Sequence, residues 1–83
     1  MEVKYIKFES SNCVGCKKLT NALNLLGKLK DIESFDIGTD EGMDKAQEYG
    51  VRSVPVFIRL ENGIEADRMT NFSVPTFKRV MGD

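Results

Sequence analysis

The chain contains no histidine and no tryptophan, and only two cysteines and two prolines occur among its 83 residues. The absence of imidazole excludes histidine-dependent catalytic triads and metal sites that need histidine ligands. Two cysteines cannot form the several disulfides that hold small secreted domains together. Because 12 basic and 13 acidic side chains leave a net charge of -1, no excess of positive charge indicates nucleic-acid or membrane-surface binding.

Long apolar segments are also missing from the sequence. No stretch approaches the roughly 18 apolar residues of a membrane span, and the first residues lack a basic leader followed by an apolar run. We therefore expect no membrane partner and a cytoplasmic location, where a cysteine pair would be reduced at rest. Hydrophobic residues at 41% and charged residues at 30% favour one folded domain over residues 1–83.

The apolar periodicity alternates between strand and helix patterns along the chain. Strands are predicted over residues 3–8, 32–37, 56–60 and 64–69. Helices are predicted over residues 14–29, 43–49 and 74–81. The polar turn Glu9-Ser10-Ser11-Asn12 is expected to cap the first helix. The order β-α-β-α-β-β-α predicts an α/β protein, a three-layer α/β/α sandwich around a four-stranded mixed sheet.

Cys13-Val14-Gly15-Cys16 is the main chemical signal in the sequence. Two thiols three residues apart at the start of a helix lie on one face, close enough to form a disulfide. The helix dipole favours a thiolate at Cys13, so Cys13 is predicted to be the nucleophile. Cys16, one turn deeper, is predicted to be the resolving thiol, and this redox-active pair needs no further cofactor.

Other functions of the cysteine pair are less favoured by the residues present. A zinc site needs four ligands, which two cysteines without histidine do not supply, so we expect no metal. A structural disulfide that closes so short a loop would constrain the unfolded chain least and would be reduced in a cytosol.

Three segments together resemble the thioredoxin family. They are the Cys13-Val14-Gly15-Cys16-Lys17 motif after a strand, the segment Tyr49-Gly50-Val51-Arg52-Ser53-Val54-Pro55, and the turn Glu61-Asn62-Gly63. Their order and spacing match over nearly the whole chain. The strand and helix that precede the first core strand of a full-length thioredoxin are missing, so the chain resembles the compact thioredoxin/glutaredoxin core.

The resemblance implies a thioredoxin-like fold and a thiol-disulfide oxidoreductase that reduces protein disulfides as a monomer. It implies recharging by an electron donor of the thioredoxin-reductase type. It also implies that Pro55 is cis and lies beside the cysteines, and that the backbone of Val54 pairs with the substrate. Val14 and Gly15 complete the expected substrate-binding residues.

The sequence departs from the thioredoxin pattern at several positions around the cysteines. Asn12 replaces the usual tryptophan, and Val14-Gly15 replaces Gly-Pro. Lys7 occupies the position of a buried acid, so we expect it to favour the thiolate of Cys16 electrostatically. Alternatively, Lys7 extends its charge to solvent. Lys17, directly after Cys16, is a second candidate for tuning the thiols.

Two further functions remain open from the sequence. Ser53-Val54-Pro55 resembles the Thr-Val-Pro of glutaredoxins, which use glutathione, and small glutaredoxin-like proteins that supply electrons to ribonucleotide reductase have a similar motif. However, Ser10-Ser11-Asn12 and Thr70-Asn71-Phe72 lack the lysine and the Gly-Gly-acid pattern common in glutaredoxins. The alternative of another class is a redox-inert module that holds extended peptides between Cys13 and Pro55.

Overall fold

Residues 1–82, which the computed structural model describes, form four strands, three α-helices and one turn of 3-10 helix. The strands are β1 (Val3–Glu9), β2 (Ile32–Asp36), β3 (Val56–Glu61) and β4 (Ile64–Met69). The helices are α1 (Val14–Leu25), α2 (Asp40–Glu48) and α3 (Val74–Met81), and the 3-10 turn is Leu29–Asp31. In this part of the chain, none of the helices combines the length and the apolar character that a membrane crossing requires.

The strands form one mixed sheet in the order β2-β1-β3-β4. β1 is parallel to β2 and antiparallel to β3, and β3 is antiparallel to β4. The predicted order of elements and the four-stranded mixed sheet are confirmed. Because β1 and β4 end at the edge where β3 begins, the segments after Glu9, before Val56 and after Met69 meet there.

Helices cover both faces of the sheet, as the three-layer prediction requires. One buried cluster joins β1, β2 and β3 to α2 and contains Ile6, Phe8, Phe35, Ala46, Val56, Ile58 and Leu60. The second cluster joins the sheet to α1 and α3 and contains Leu19, Leu23, Ile32, Phe57, Met69, Phe77 and Val80. Side chains alternate along β1, so Tyr5, Lys7 and Glu9 face the layer of α1 and α3.

Two helix boundaries differ from the prediction. α1 ends at Leu25 rather than at residue 29, because the chain turns at Gly27 with a φ of 67°, a conformation that glycine adopts readily. α2 begins at Asp40, three residues before the predicted Met43. Thr39 caps it, since its Oγ1 accepts a 3.0 Å hydrogen bond from the Gly42 amide.

α3 is fixed to β4 at the edge strand of the sheet. Ser73 caps the helix by accepting a hydrogen bond from the Thr76 amide at 3.3 Å. The Arg79 guanidinium donates to the Asp67 carboxylate at 2.8 Å, and this hydrogen bond lowers the pKa of Asp67. These contacts hold the loop between β4 and α3 at the edge that carries the cysteines.

Candidate active site

Cys13 and Cys16 form a disulfide at the start of α1, with their Cα atoms 5.2 Å apart. The turn that leads from β1 to the helix brings Asn12 into the left-handed region, with a φ of 62°. Asparagine tolerates this conformation better than most residues with a side chain. The turn therefore places both cysteines directly beyond the end of β1.

Cys13 is itself the N-cap residue of α1. Its Sγ accepts a hydrogen bond from the Cys16 amide at 3.1 Å, whereas the cap was predicted in the preceding polar turn. This assignment was wrong because the sulfur takes the place of a capping oxygen. Cys13 is partly exposed and Cys16 is 5% exposed, so Cys13 is the more accessible of the two cysteines.

Pro55 packs directly against the turn between the two cysteines. The Val54–Pro55 peptide bond is cis, as the resemblance predicted. A Cβ atom built on Gly15 would lie 2.9 Å from Cδ and 3.1 Å from Cγ of Pro55. Pro55 is buried and Val54 is partly buried against the α2 cluster, while Val14 is 68% exposed. The fold thus brings together the cysteine motif and the segment before β3.

Comparisons with known proteins find the same family by sequence and by structure. The chain is 32% identical over 65 residues to an H-type thioredoxin of Fagopyrum esculentum, which covers 77% of this chain and 56% of that protein. Thioredoxin H2 of Arabidopsis thaliana is 28% identical over 65 residues, which is 77% of this chain and 49% of that protein. The chain therefore spans about half the length of the curated relatives it matches. No protein-family model matches the sequence.

Among solved structures, thioredoxin 1 of Thermosipho africanus superposes with a TM-score of 0.76 at 26% identity. The match covers 94% of this chain and 89% of the Thermosipho protein. The chain belongs to the thioredoxin family. Cys13, Cys16 and Pro55 therefore form the cysteine site of a thioredoxin-like fold.

Lys7 differs most from expectation for a thioredoxin-family site. It is 3% exposed, and its ammonium donates a hydrogen bond to the Glu9 carboxylate. The alternative that Lys7 extends to solvent is wrong, because the strand turns its side chain toward the layer of α1. The ammonium is engaged by Glu9, so a direct effect of Lys7 on Cys16 remains a prediction.

A cleft of about 250 Å³ lies beside the buried cysteine of this thioredoxin-family chain. It is lined by Glu9, Ser10, Cys16, Lys17, Thr20 and Asn21. The Lys17 side chain is exposed, whereas Glu9 is partly buried. Glu9 was not among the residues predicted from sequence. The alternation along β1, which places residues 7 and 9 on one face, was the signal that could have identified it.

We expect Gly15→Ala to reduce both stability and disulfide exchange. Alanine ordinarily stabilises a helix by about 1 kcal/mol relative to glycine, but here the new methyl group would collide with the Pro55 ring. Overpacking of this kind costs about 1–3 kcal/mol. Urea unfolding and exchange kinetics measure the result, with Asn24→Ala on the exposed face of α1 as the control. An equal gain in stability for both variants would contradict the proposed contact.

Proposed function

We propose that the protein is a thiol-disulfide oxidoreductase that reduces protein disulfides through Cys13 and Cys16. The observation that carries the proposal is the pairing of a partly exposed and a buried cysteine at the start of α1, directly beside Pro55. This arrangement supports attack by the partly exposed Cys13 sulfur and release by the buried Cys16 sulfur. Membership of the thioredoxin family supports the same reaction.

The proposed reaction starts from the dithiol form. Backbone amides at the start of a helix stabilise an anion, and the Cys16 amide already points at the Cys13 sulfur. The Cys13 thiolate attacks a substrate disulfide, forms a mixed disulfide and releases one substrate thiolate. Cys16 then attacks Cys13 and releases the second substrate thiolate. The substrate gains the two electrons that the cysteine pair loses.

A groove for an extended substrate segment is proposed around the Cys13 sulfur. Val14, next to Cys13 in the chain, presents an exposed apolar side chain. Pro55 lies beside the motif, with Gly15 against the proline ring, and Val54 directly precedes it. Because Gly15 has no side chain, the proline stays close to the motif, and we propose that the backbone of the preceding Val54 pairs with a substrate chain.

We propose that the protein works as a monomer in the cytoplasm, where a donor of the thioredoxin-reductase type returns the disulfide to the dithiol. A reducing compartment supports this direction of electron flow, because the protein then meets substrate disulfides in its dithiol form. The alternative electron donor is glutathione, and an assay that supplies each donor separately tests it.

The reduction potential of the Cys13/Cys16 pair tests the proposed direction of electron flow. The pair is equilibrated in defined thiol-disulfide buffers, and insulin reduction is followed with either thioredoxin reductase and NADPH or glutathione as the donor. We expect a potential close to that of thioredoxin, about -270 mV, with turnover supported by the reductase. A potential close to that of a strong oxidant, about -120 mV, would overturn both the proposed disulfide reduction and the proposed cytoplasmic location.

A further inference from the structure

We propose that Glu9 accepts the proton of Cys16 when Cys16 resolves the mixed disulfide, and that Lys7 is the positioning residue that holds the Glu9 carboxylate at the cleft. The proposal rests on the exchange reaction proposed above. Its basis is the shared cleft of Glu9 and Cys16 together with the hydrogen bond between Lys7 and Glu9.

Cys16 needs a proton acceptor because of where it lies. Only the thiolate attacks a disulfide, and burial in apolar surroundings disfavours thiolate formation. Cys16 is 5% exposed, so bulk water has little access to its sulfur. The amide that would favour an anion at the start of α1 points at Cys13 instead. Cys16 therefore lacks the amide hydrogen bond that Cys13 receives.

The lining of the cleft leaves one candidate for the acceptor. Besides Cys16, its titratable residues are Glu9 on β1 and Lys17 on α1. An ammonium group has three donors and no acceptor, so protonated Lys17 cannot take the proton. Ser10, Thr20 and Asn21 have no basic group. The Glu9 carboxylate is the group in the cleft that can receive a proton from a thiol.

Lys7 fixes the position of that carboxylate from beneath the cleft. Among residues 1–82, Lys7 is the buried charged side chain, and its ammonium donates to Oε1 of Glu9. Both side chains leave β1 on the face that carries α1, and Lys7 pairs across the sheet with Phe57 of the α1 layer. With Oε1 engaged by Lys7, the second oxygen, Oε2, is the one that we assign to the thiol.

The step transfers one proton and two electrons. The proton moves from Cys16 Sγ to the Glu9 carboxylate, and the Cys16 thiolate then attacks Cys13 Sγ. The new Cys13–Cys16 bond forms while the bond from Cys13 to the substrate sulfur breaks. The substrate leaves as a thiolate with the electron pair of that bond, and it takes up the proton from protonated Glu9 or from water.

The two release phases of Ellman's reagent isolate this step. Cys13 of the reduced protein attacks the reagent and releases one aromatic thiolate, and Cys16 then releases the second by attack on Cys13. For Glu9→Gln we expect the second phase to slow by about 10²-fold near neutral pH. The rate should recover as the solution becomes alkaline. The first phase, which Cys13 performs, serves as the internal reference.

Three further variants separate proton transfer from a loss of structure. Glu9→Asp keeps a carboxylate and is expected to keep the pH profile of the second phase. Lys7→Met leaves Glu9 unsupported and is expected to slow that phase by about tenfold through misplacement. Glu33→Gln removes an exposed carboxylate on β2, outside this cleft, and should leave both phases unchanged. Circular dichroism shows whether each variant is folded.

The outcomes separate this proposal from the proposed function. A second phase with the same pH profile in Glu9→Gln as in the unaltered protein would overturn the role of Glu9 and leave the exchange reaction standing. Equal slowing in Glu9→Asp and Glu9→Gln would also overturn proton transfer. If the unaltered protein released no second thiolate, the exchange reaction itself would fail.

Discussion

Cys13→Ser is expected to lower disulfide exchange to the uncatalysed level, a loss of several orders of magnitude. A serine hydroxyl at this position is not ionised near neutral pH, whereas the reaction requires a thiolate. The geometry makes this loss complete, because Cys16 is buried and a substrate disulfide reaches it poorly. Insulin reduction and single-turnover release of an aromatic thiolate both measure the effect.

Cys16→Ser is the matched control for that substitution, because it makes the same replacement of sulfur by oxygen at the other cysteine of the pair. Cys13 remains able to attack, so we expect a single turnover that stops at a mixed disulfide with the substrate. Mass spectrometry detects this adduct in Cys16→Ser and its absence in Cys13→Ser. Equal adducts in both variants would contradict the assignment of attack to Cys13. Retained partner binding without turnover in the unaltered protein would favour the redox-inert module.

The order of strands and helices could be predicted because most of these elements have a clear apolar period. Helix ends depend on single residues instead. The leucines continue the helical spacing beyond Leu25, but the left-handed turn at Gly27 ends α1 there. The start of α2 was predicted too late because its first residues show no apolar period. The helix begins there because the hydroxyl of Thr39 caps it.

The residues of the candidate site that belong to a sequence motif could be predicted. The residues whose role depends on their burial in the fold could not. Cys13, Cys16 and Pro55 stand in a recognisable order along the sequence, and the fold brings them to one edge of the sheet. The sequence pattern does not state whether a lysine on a strand is buried or exposed. The contact of Lys7 with Glu9 depends on the packing of α1 over that face of the sheet, which is a tertiary property.

We expect substitutions of Lys7 and Glu9 to have unequal effects on stability, because Lys7 is buried and Glu9 is partly exposed. Lys7→Met replaces a buried ammonium with an apolar side chain of similar length, and the Glu9 carboxylate that it leaves is 34% exposed and can be hydrated, so we expect stability to change by less than about 1 kcal/mol. Glu9→Ala instead leaves the Lys7 ammonium buried without its partner. Breaking a fully buried pair in this way costs about 3–5 kcal/mol. Because the Glu9 side chain is 34% exposed and water reaches the site, we expect about 2 kcal/mol here.

Urea unfolding of the two single variants and of the double variant measures this asymmetry. In the double variant the uncompensated ammonium is gone, so Lys7→Met should restore most of the stability that Glu9→Ala removes. The coupling between the two sites is therefore expected to exceed what separate, non-contacting residues show. Additive effects, or a loss of stability in Lys7→Met as large as that in Glu9→Ala, would contradict the conclusion that Glu9 compensates the buried charge of Lys7. Such a result would also remove the positioning role assigned to Lys7, because that role requires the two side chains to interact in solution.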